Sequence, residues 1–325
     1  MSRFRTFRSR ILAQIALPLI AIMALVFSAN AWLRYHNEKQ DIYADLAQDA
    51  DKAALHLQYL LESAETDTRS TADLLSEASH QGMLPDEERL KLLLIRRLER
   101  HEDFYGNTIA FQEDVIANKS IFAPYAYRKG NKIYTLDLGS EGYDYANGKW
   151  DWWSQAINND NGYWTPPYFD TGGGKELMVS YSHPFGELMP YLGVVTVDLA
   201  LSQIPKILNT AADKVVVIDE QGQVIYHNNH SFLLEQGSEH WLTKSEGNQA
   251  FLDLVDAGVV GHASIEDAIG DKYLASIGIV PSLNWRVVIL TSDKLLYAEL
   301  LKAISLLGLT LCLLSTLLFL TGYLT

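Results

Sequence analysis

The sequence NGKWDWWSQAINNDNGYWTPPYFDTGGG, residues 147–174, gathers aromatic rings and a carboxylate into one short stretch. A second carboxylate, Asp198, ends the next long apolar run. Aromatic faces and carboxylates together attract a small cation, each good face contributing roughly 0.5–2 kcal/mol. The stretch therefore predicts a pocket for an ammonium group. Four of the seven tryptophans in the chain lie here, within fifteen residues: Trp150, Trp152, Trp153 and Trp164.

Strand patterns follow the aromatic cluster. Tyr163–Asp170 and Leu177–Pro184 are expected to pair as a hairpin, and Tyr191–Leu199 is an apolar run typical of a buried central strand. Lys149–Asn158 is expected to form a short helix. The connection Thr171–Gly174 favours a flexible hairpin tip over a phosphate-binding loop, because no Lys-Ser/Thr pair and helix follow it.

A long helix precedes this region. From Arg34 to His80 apolar residues recur at spacings of three, four and seven, and no Pro or Gly interrupts before Gly82. Such a helix spans about 70 Å at 1.5 Å per residue. We expect a spine that packs on the following domains, with a plain coiled-coil dimer stem as the alternative. A second helix is expected at Pro85–Arg100, acidic in its first turn and basic in its last.

The remaining patterns predict an α+β fold with two tandem PAS-like antiparallel-sheet domains, residues 81–210 and 211–299. In both domains a strand leads directly into a helical exit, at GVVTVDLALSQI and at WRVVILTSDKLL. Besides the strands named above, we expect strands at Asn107–Asp114, Ile121–Tyr127, Lys132–Leu138, Lys214–Asp219, Gln223–His227, His262–Ile269, Lys272–Ile279 and Asn284–Thr291.

Two apolar segments predict membrane spans at the two ends of the chain. Ile11–Leu33 has 23 residues without a formal charge and Ala303–Tyr323 has 21, and about 20 suffice to cross a bilayer. The arginine-rich residues 1–10 place the N-terminus in the cytoplasm. Residues 34–299 are then periplasmic and the protein lies in a bacterial inner membrane, with a second span at 300–323. A sensor that ends at Thr325 would lack an output domain, which suggests truncation.

Charge and motif content exclude several classes. Residues 34–299 carry 21 Lys and Arg against 40 Asp and Glu, which argues against nucleic-acid binding. The single cysteine, Cys312, excludes a disulfide framework. The histidines do not fall at metal-ligand spacings, and no nucleophile motif such as G-x-S-x-G is present. No metal, cofactor or catalytic residue is expected.

The whole segment from 34 to 299 resembles the double Cache sensor modules of bacterial receptors. The pieces WWSQA, GYWTPPYFDTGGG, MVSYSHPF and GVVTVDLAL are similar to the family patterns W-Y-x-x-A, P-Y-x-D and G-V-V-x-x-D. The resemblance implies a ligand-binding membrane-distal domain, a membrane-proximal domain and no enzymatic activity in this sensor portion. It also implies the ligand contacts in this chain: Tyr145, Trp150, Trp152, Trp153, Tyr168, Asp170 and Asp198.

Trp150 stands where amino-acid-binding members of the family carry an arginine, the group that holds a ligand carboxylate. The resemblance therefore implies a cationic amine without a carboxylate: a biogenic amine, a polyamine or a quaternary ammonium. An amino-acid sensor that uses Lys149 or backbone amides, a ligand-free coupling module and a periplasmic enzyme are the alternatives. Homodimerisation through the long helix is expected.

Several of these residues have ordinary structural explanations as well. Asp198 could cap the helix that begins near Leu199, and Asp170 could start the glycine turn. Trp164 is more typical of strand packing than of ligand contact. Trp152 and Trp153 cannot both face inward equally from one short helix, and Trp152 is the better candidate for the ligand.

Overall fold

The computed structural model describes residues 2–140, 142–187, 189–208, 214–219, 224–227, 246–267 and 269–294, together with scattered positions from 297 to 316. The helices in these ranges are α1 (Ser2–His80), α2 (Glu87–Arg100), α3 (Asp151–Ser154), α4 (Ile204–Leu208) and α5 (Glu246–Ala257). The strands are β1 (Gly106–Phe111), β2 (Pro124–Lys129), β3 (Lys132–Asp137), β4 (Tyr163–Trp164), β5 (Tyr168–Phe169), β6 (Leu177–Phe185), β7 (Gly193–Ala200), β8 (Lys214–Ile218), β9 (Val224–His227), β10 (Gly261–Glu266), β11 (Lys272–Val280) and β12 (Trp285–Ser292).

The first sheet has the order β3-β2-β1-β7-β6-β4, with β5 also paired to β6, and all its pairs are antiparallel. Every residue of β7 is buried, which confirms the central strand expected from the apolar run. The strand expected at Tyr163–Asp170 is instead divided into β4 and β5. Pro166 and Pro167 lie at the division, and proline has no N–H to donate to a sheet.

The second sheet has the order β10-β11-β12-β8-β9, also antiparallel throughout. Helix α5 covers one of its faces, where Phe251 and Val255 pack with strand residues such as Val216 and Val288. The two tandem antiparallel-sheet domains expected from the sequence are therefore present. Residues 228–245, between β9 and α5, lie outside the described residues.

Helix α1 is the spine of both sheets. One core cluster follows its apolar face and includes side chains from both domains, such as Val195 of the first sheet and Val287 of the second. In the second sheet the contact is so close that a Cβ on Gly278 would overlap the carbonyl oxygen of Ala50. The α1 positions in this core are Tyr43, Leu46, Ala50, Ala53, Ala54, Leu57, Leu60, Leu61, Ala64, Ala72 and Leu75.

Helix α2 begins two residues later than the sequence suggested. The carboxylate of Asp86 accepts a hydrogen bond from the amide of Arg89 at 2.9 Å, so Asp86 caps the helix and Glu87 is its first residue. Leu90, Leu94 and Leu98 form its buried face. The helix expected at Lys149–Asn158 is shorter too: α3 covers one turn, and a 3-10 turn at Ala156–Asn158 follows it.

Among the described residues, one helix is long and apolar enough to cross a membrane. It is the part of α1 from Pro18 onward, and its most apolar window is not buried within the protein. Helix α1 passes the second sheet before it reaches the first, so the first sheet lies farther from this apolar segment. The first sheet is therefore called the distal sheet and the second the proximal sheet. The second predicted span, Ala303–Tyr323, lies largely outside the described residues.

Candidate functional site

A small cavity lies on the face of the distal sheet that is turned away from α1. Side chains alternate along β7, so Val195 and Val197 face the helix while Thr196 and Asp198 face the cavity. Its volume is about 20 Å³, room for roughly one water. The lining residues are Thr108, Tyr125, Leu138, Tyr143, Trp152, Tyr168, Asp170, Thr196 and Asp198.

Asp198 is the buried anion of this cavity. Only 5% of its surface is exposed, and Ser180 Oγ donates to its Oδ1 at 2.6 Å, while no described residue donates to its Oδ2. Burial raises the pKa of Asp198 to about 6, and the negative charge of Asp170 adds to the rise. The hydrogen bond from Ser180, the nearby Tyr125 hydroxyl and the charge of Arg97 act in the opposite direction, although the Tyr125 hydroxyl does not reach full hydrogen-bond geometry. The carboxylate is therefore poorly compensated, and a cation beside it would lower its energy.

A hydrogen-bonded chain of side chains leads to Asp198 from Tyr168. The Tyr168 hydroxyl is 2.8 Å from Ser180 Oγ. Ser180 has one hydroxyl proton and gives it to Asp198, so Tyr168 must be the donor to Ser180. The lone pairs of the Tyr168 oxygen consequently remain available on the side of the cavity.

Asp170 organises the glycine turn and also lines the cavity. Its carboxylate accepts hydrogen bonds from the amides of Gly172, Gly173 and Gly174 at 3.1, 2.9 and 2.7 Å, so it organises the glycine turn. It is also 6% exposed and lines the cavity. Capping explains part of this burial, but the carboxylate still contributes negative charge to the same space as Asp198.

The glycine loop, Gly172 to Gly174, packs over the tyrosine rings at the cavity, in contrast to the flexible hairpin tip expected from the sequence. A Cβ on Gly172, Gly173 or Gly174 would overlap the ring of a tyrosine beneath it. Only residues without a side chain can approach the rings so closely. The three rings, in the order of the glycines, belong to Tyr143, Tyr125 and Tyr105.

Trp152 in α3 and Trp150 at its N-cap lie at the aromatic wall of the cavity. This wall is formed by the lining rings of Tyr125, Tyr143, Trp152 and Tyr168. Trp152 lines the cavity and is 4% exposed, and its Nε1 donates to the Tyr143 hydroxyl at 3.2 Å. Trp150 is half-buried outside the lining, with its ring centroid 4.6 Å from that of Tyr143 and 6.4 Å from that of Tyr168. Trp150 thus covers the wall from outside instead of touching the cavity.

The structure places Tyr145 and Trp153 in the core, where the sequence suggested ligand contacts. Tyr145 is fully buried, and its hydroxyl donates to the carbonyl of Phe111 at 2.6 Å while accepting from the amide of Phe122 at 3.2 Å. Trp153 packs edge-on against Tyr145, with ring centroids 4.9 Å apart. Both side chains support the wall from behind. Trp164 is a packing residue, as expected, and donates to Glu65 of α1 at 2.8 Å.

Sequence reasoning missed Tyr125, Tyr143, Thr108 and Thr196. Tyr125 is the most informative of them, because it is 4% exposed and its hydroxyl has no hydrogen-bond partner. It lies opposite Thr108 in the register of β1 and β2, on the cavity face. Strand alternation could have assigned both to one face, but no motif marked that face as the site.

A buried cation lies behind the sheet. Arg97 of α2 is 2% exposed, and its Nε donates to Asp67 of α1 at 2.7 Å. Its Nη1 donates to Asn107 Oδ1 at 3.1 Å and to the carbonyl of Thr196 at 3.3 Å, and its Nη2 donates to Thr68 at 3.2 Å. Because the Thr196 side chain lines the cavity, a single strand separates the site from the network that holds α1.

A larger groove of about 760 Å³ lies elsewhere, along α1 between Ile22 and Asp41 and beside Lys302 and Leu306. It falls where α1 is predicted to leave the membrane, and exposed apolar side chains form much of its wall. Lipid or neighbouring helices can fill such a groove. The distal cavity, with its buried carboxylates, is the candidate ligand site.

Comparisons with known proteins agree with this architecture. The family described as methyl-accepting chemotaxis protein-like, first PDC sensor domain, matches residues 90–206. The extracellular domain of soHK1S-Z6, described as a histidine kinase, is 41% identical, with 82% of this chain and 99% of that one covered and a TM-score of 0.76. No curated protein matches this sequence.

Two more distant structures share the fold. The periplasmic sensory domain of the Campylobacter jejuni chemoreceptor Tlp1 is 15% identical, covering 79% of this chain and 97% of its own, with a TM-score of 0.64. The ligand-binding domain of Pseudomonas aeruginosa PAO1 PctC, in complex with GABA, is 18% identical over 77% and 99%, with a TM-score of 0.51. The long helix, the paired sheets and the 41% identical relative together establish that this chain belongs to the double Cache, or PDC, family of extracellular ligand-binding sensor modules of chemoreceptors and histidine kinases.

Proposed function

We propose that the distal cavity binds a small cationic amine. The observation that carries the proposal is Asp198, a buried carboxylate with one oxygen that no described residue pairs, facing a cavity whose lining contains neither Lys nor Arg. Asp170 adds a second negative charge, and Trp152 offers an aromatic face to a cation. Tyr168 contributes its oxygen lone pairs, as derived above.

The same lining argues against a ligand that carries a carboxylate. Lys149, the alternative partner for such a group, is exposed and lies outside the cavity. Trp150 occupies the position of the family arginine and stacks on Tyr143. PctC, which was crystallised with GABA, shows that the fold is compatible with a ligand bearing both groups. An amino acid is therefore the alternative ligand.

Binding requires the cavity to enlarge, because about 20 Å³ is too small for an organic amine. The glycine loop from Gly172 to Gly174 and the half-buried ring of Trp150 are the covering parts. Their movement would define a ligand-bound state that an amine favours by occupying it. The strand that carries Thr196 and Asp198 would pass the change to Arg97 and α1.

We propose further that ligand binding shifts the relation between the distal domain and α1, and that the proximal domain passes a small displacement to the second predicted span. The protein would reside in the inner membrane and act as a homodimer. Exposed apolar side chains on α1, such as Leu55 and Tyr59 at 67% and 75%, provide the surface for pairing.

Calorimetry on the full chain in detergent, with a panel of amines and amino acids, tests the proposal. Amines are expected to bind above about pH 7, and affinity should fall about tenfold per pH unit below pH 6, because protonation removes the charge of Asp198. Asp198→Asn should abolish both the binding and its pH dependence.

Other outcomes would redirect the proposal. Binding of unmodified amino acids but not of amines would make an amino acid the preferred ligand and would reject the amine proposal. The absence of any response would favour a module that only couples domains, and turnover that disappears on replacing Asp170 would indicate an enzyme.

A further inference from the structure

Tyr125 has a buried hydroxyl without a hydrogen-bond partner, in the same cavity as the unpaired Oδ2 of Asp198. Its ring is 4% exposed and stacks on Tyr127 with centroids 5.6 Å apart, so the ring is held in place while the hydroxyl is not paired. A buried hydroxyl left unpaired costs free energy, and native structures rarely keep one without a reason. A ligand group that enters the cavity can provide the missing partner.

The Tyr125 hydroxyl lies next to the open oxygen of Asp198. Asp198 Oδ2 is 2.7 Å from the point where a Cβ on Gly106 would sit, and Tyr125 Oη is closer still to that point. The two oxygens are therefore less than about 5.4 Å apart, which one nitrogen at hydrogen-bond distance from each can span. Glycine at 106 keeps this space free of a methyl group.

Tyr168 provides a third acceptor. Its proton is given to Ser180, so its oxygen can only accept from a ligand. Tyr125 Oη, Asp198 Oδ2 and Tyr168 Oη all belong to side chains that line the one small cavity. A primary ammonium carries three N–H donors, and three oxygens can receive them.

A quaternary ammonium has no N–H and would leave these oxygens unpaired while excluding water from them. We infer that the cavity selects amines with N–H groups, primary amines above all, and that Tyr125 is a specificity-determining residue that disfavours N-methylated amines. This inference rests on the proposed function and narrows it, since the sequence alone left biogenic amines, polyamines and quaternary amines equally open.

The test uses the full chain in detergent and four probes: n-butylamine, N-methylbutylamine, N,N-dimethylbutylamine and butyltrimethylammonium. Calorimetry at pH 7.5 is expected to show lower affinity at each methylation, with the quaternary probe at least about thirtyfold weaker than the primary one. Tyr125→Phe should weaken n-butylamine by about tenfold and leave butyltrimethylammonium within about twofold. The ratio of the affinities for n-butylamine and butyltrimethylammonium should therefore be smaller in Tyr125→Phe than in the wild-type protein.

The matched control is Tyr134→Phe, since Tyr134 is a 43% exposed tyrosine of the same sheet outside the cavity, and all four affinities should be unchanged. Tyr125→Phe should not lower the melting temperature, because its hydroxyl has no protein partner to lose.

Equal or tighter binding of the quaternary probe to the wild-type protein overturns the inference, and so does an equal loss for all probes in Tyr125→Phe. These results would leave the proposed function standing. If none of the four probes binds, the inference fails, and the proposed function fails with it only when 2-phenylethylamine and putrescine are silent as well.

Discussion

Two buried aspartates, one in each sheet domain, have opposite surroundings. Asp267, directly after β10, accepts hydrogen bonds from the amides of Ile269 and Asp271, both at 3.0 Å, and from Lys214 Nζ at 3.1 Å. Burial acts to raise the pKa of Asp267, but these donors outweigh it and hold the pKa below its ordinary value. Asp198 has one hydroxyl donor, and burial raises its pKa to about 6.

The different surroundings of Asp267 and Asp198 suggest a structural role for the first carboxylate and a ligand-binding role for the second. The proximal domain neutralises its buried carboxylate with its own lysine and turn amides, so that charge stabilises the β10–β11 connection. The distal domain leaves Asp198 beside a cavity without a cation on the same face, and a ligand can supply the missing charge. A buried carboxylate with a raised pKa beside a cavity, such as Asp198, is the type of acid that indicates a binding site.

The two sheets also attach to α1 differently. The proximal sheet uses close backbone contact, because Gly278 of β11 lies directly against the carbonyl of Ala50. The distal sheet uses a buried ion pair between Arg97 and Asp67, extended to the backbone of β7. The distal sheet therefore adds a charged contact to the apolar core that both sheets share along α1.

The largest predicted effect tests that attachment. Arg97→Met should lower the free energy of unfolding by about 3–5 kcal/mol, because it leaves Asp67 without its buried cation. Thermal unfolding followed by near-UV circular dichroism would measure the loss. Arg96→Met is the matched control: Arg96 is exposed and paired with Glu99, so a change above about 0.5 kcal/mol is not expected. Equal stability of the two variants would contradict the distinction.

A smaller effect of the opposite sign is predicted at the proposed ligand site. Asp198→Asn should raise the free energy of unfolding without ligand by about 1–3 kcal/mol at pH 7.5, since the native pKa lies above the unfolded value. The native carboxylate is costly once ionised, so the gain should appear between about pH 4 and pH 6 and remain constant above. A variant that is less stable than wild type at pH 7.5 would contradict the uncompensated charge.

The smallest effect is predicted for the same substitution in the proximal domain. Asp267→Asn should lower the free energy of unfolding by about 1 kcal/mol at pH 7.5. The substitution removes the negative charge that accepts hydrogen bonds from Lys214 and from two backbone amides. A depressed native pKa stabilises above the unfolded pKa, so the difference should shrink as pH falls below about 4. Amine affinity should stay within about twofold, and a larger change would make the proximal carboxylate part of the ligand response.

Local patterns in the sequence were sufficient for most of the secondary structure. The apolar spacing of α1, the apolar run of β7 and the turn residues between strands depend on neighbours a few positions apart. Of the seven proposed ligand contacts, Trp152, Tyr168, Asp170 and Asp198 line the cavity. The other three predicted ligand contacts do not line the cavity: Tyr145 and Trp153 lie in the core, and Trp150 lies outside the lining.

The sequence by itself determined a long helix with an apolar N-terminal part, two antiparallel sheets and a stretch rich in aromatic rings and carboxylates, because periodicity and composition act along the chain. Only the tertiary structure decided which polar groups are satisfied. Tyr145 and Tyr125 look alike in the sequence, yet one hydroxyl binds the backbone of Phe111 and the other has no partner. Hydrogen bonding between strands far apart in the chain depends on register and face, and these exist only after the sheet has formed.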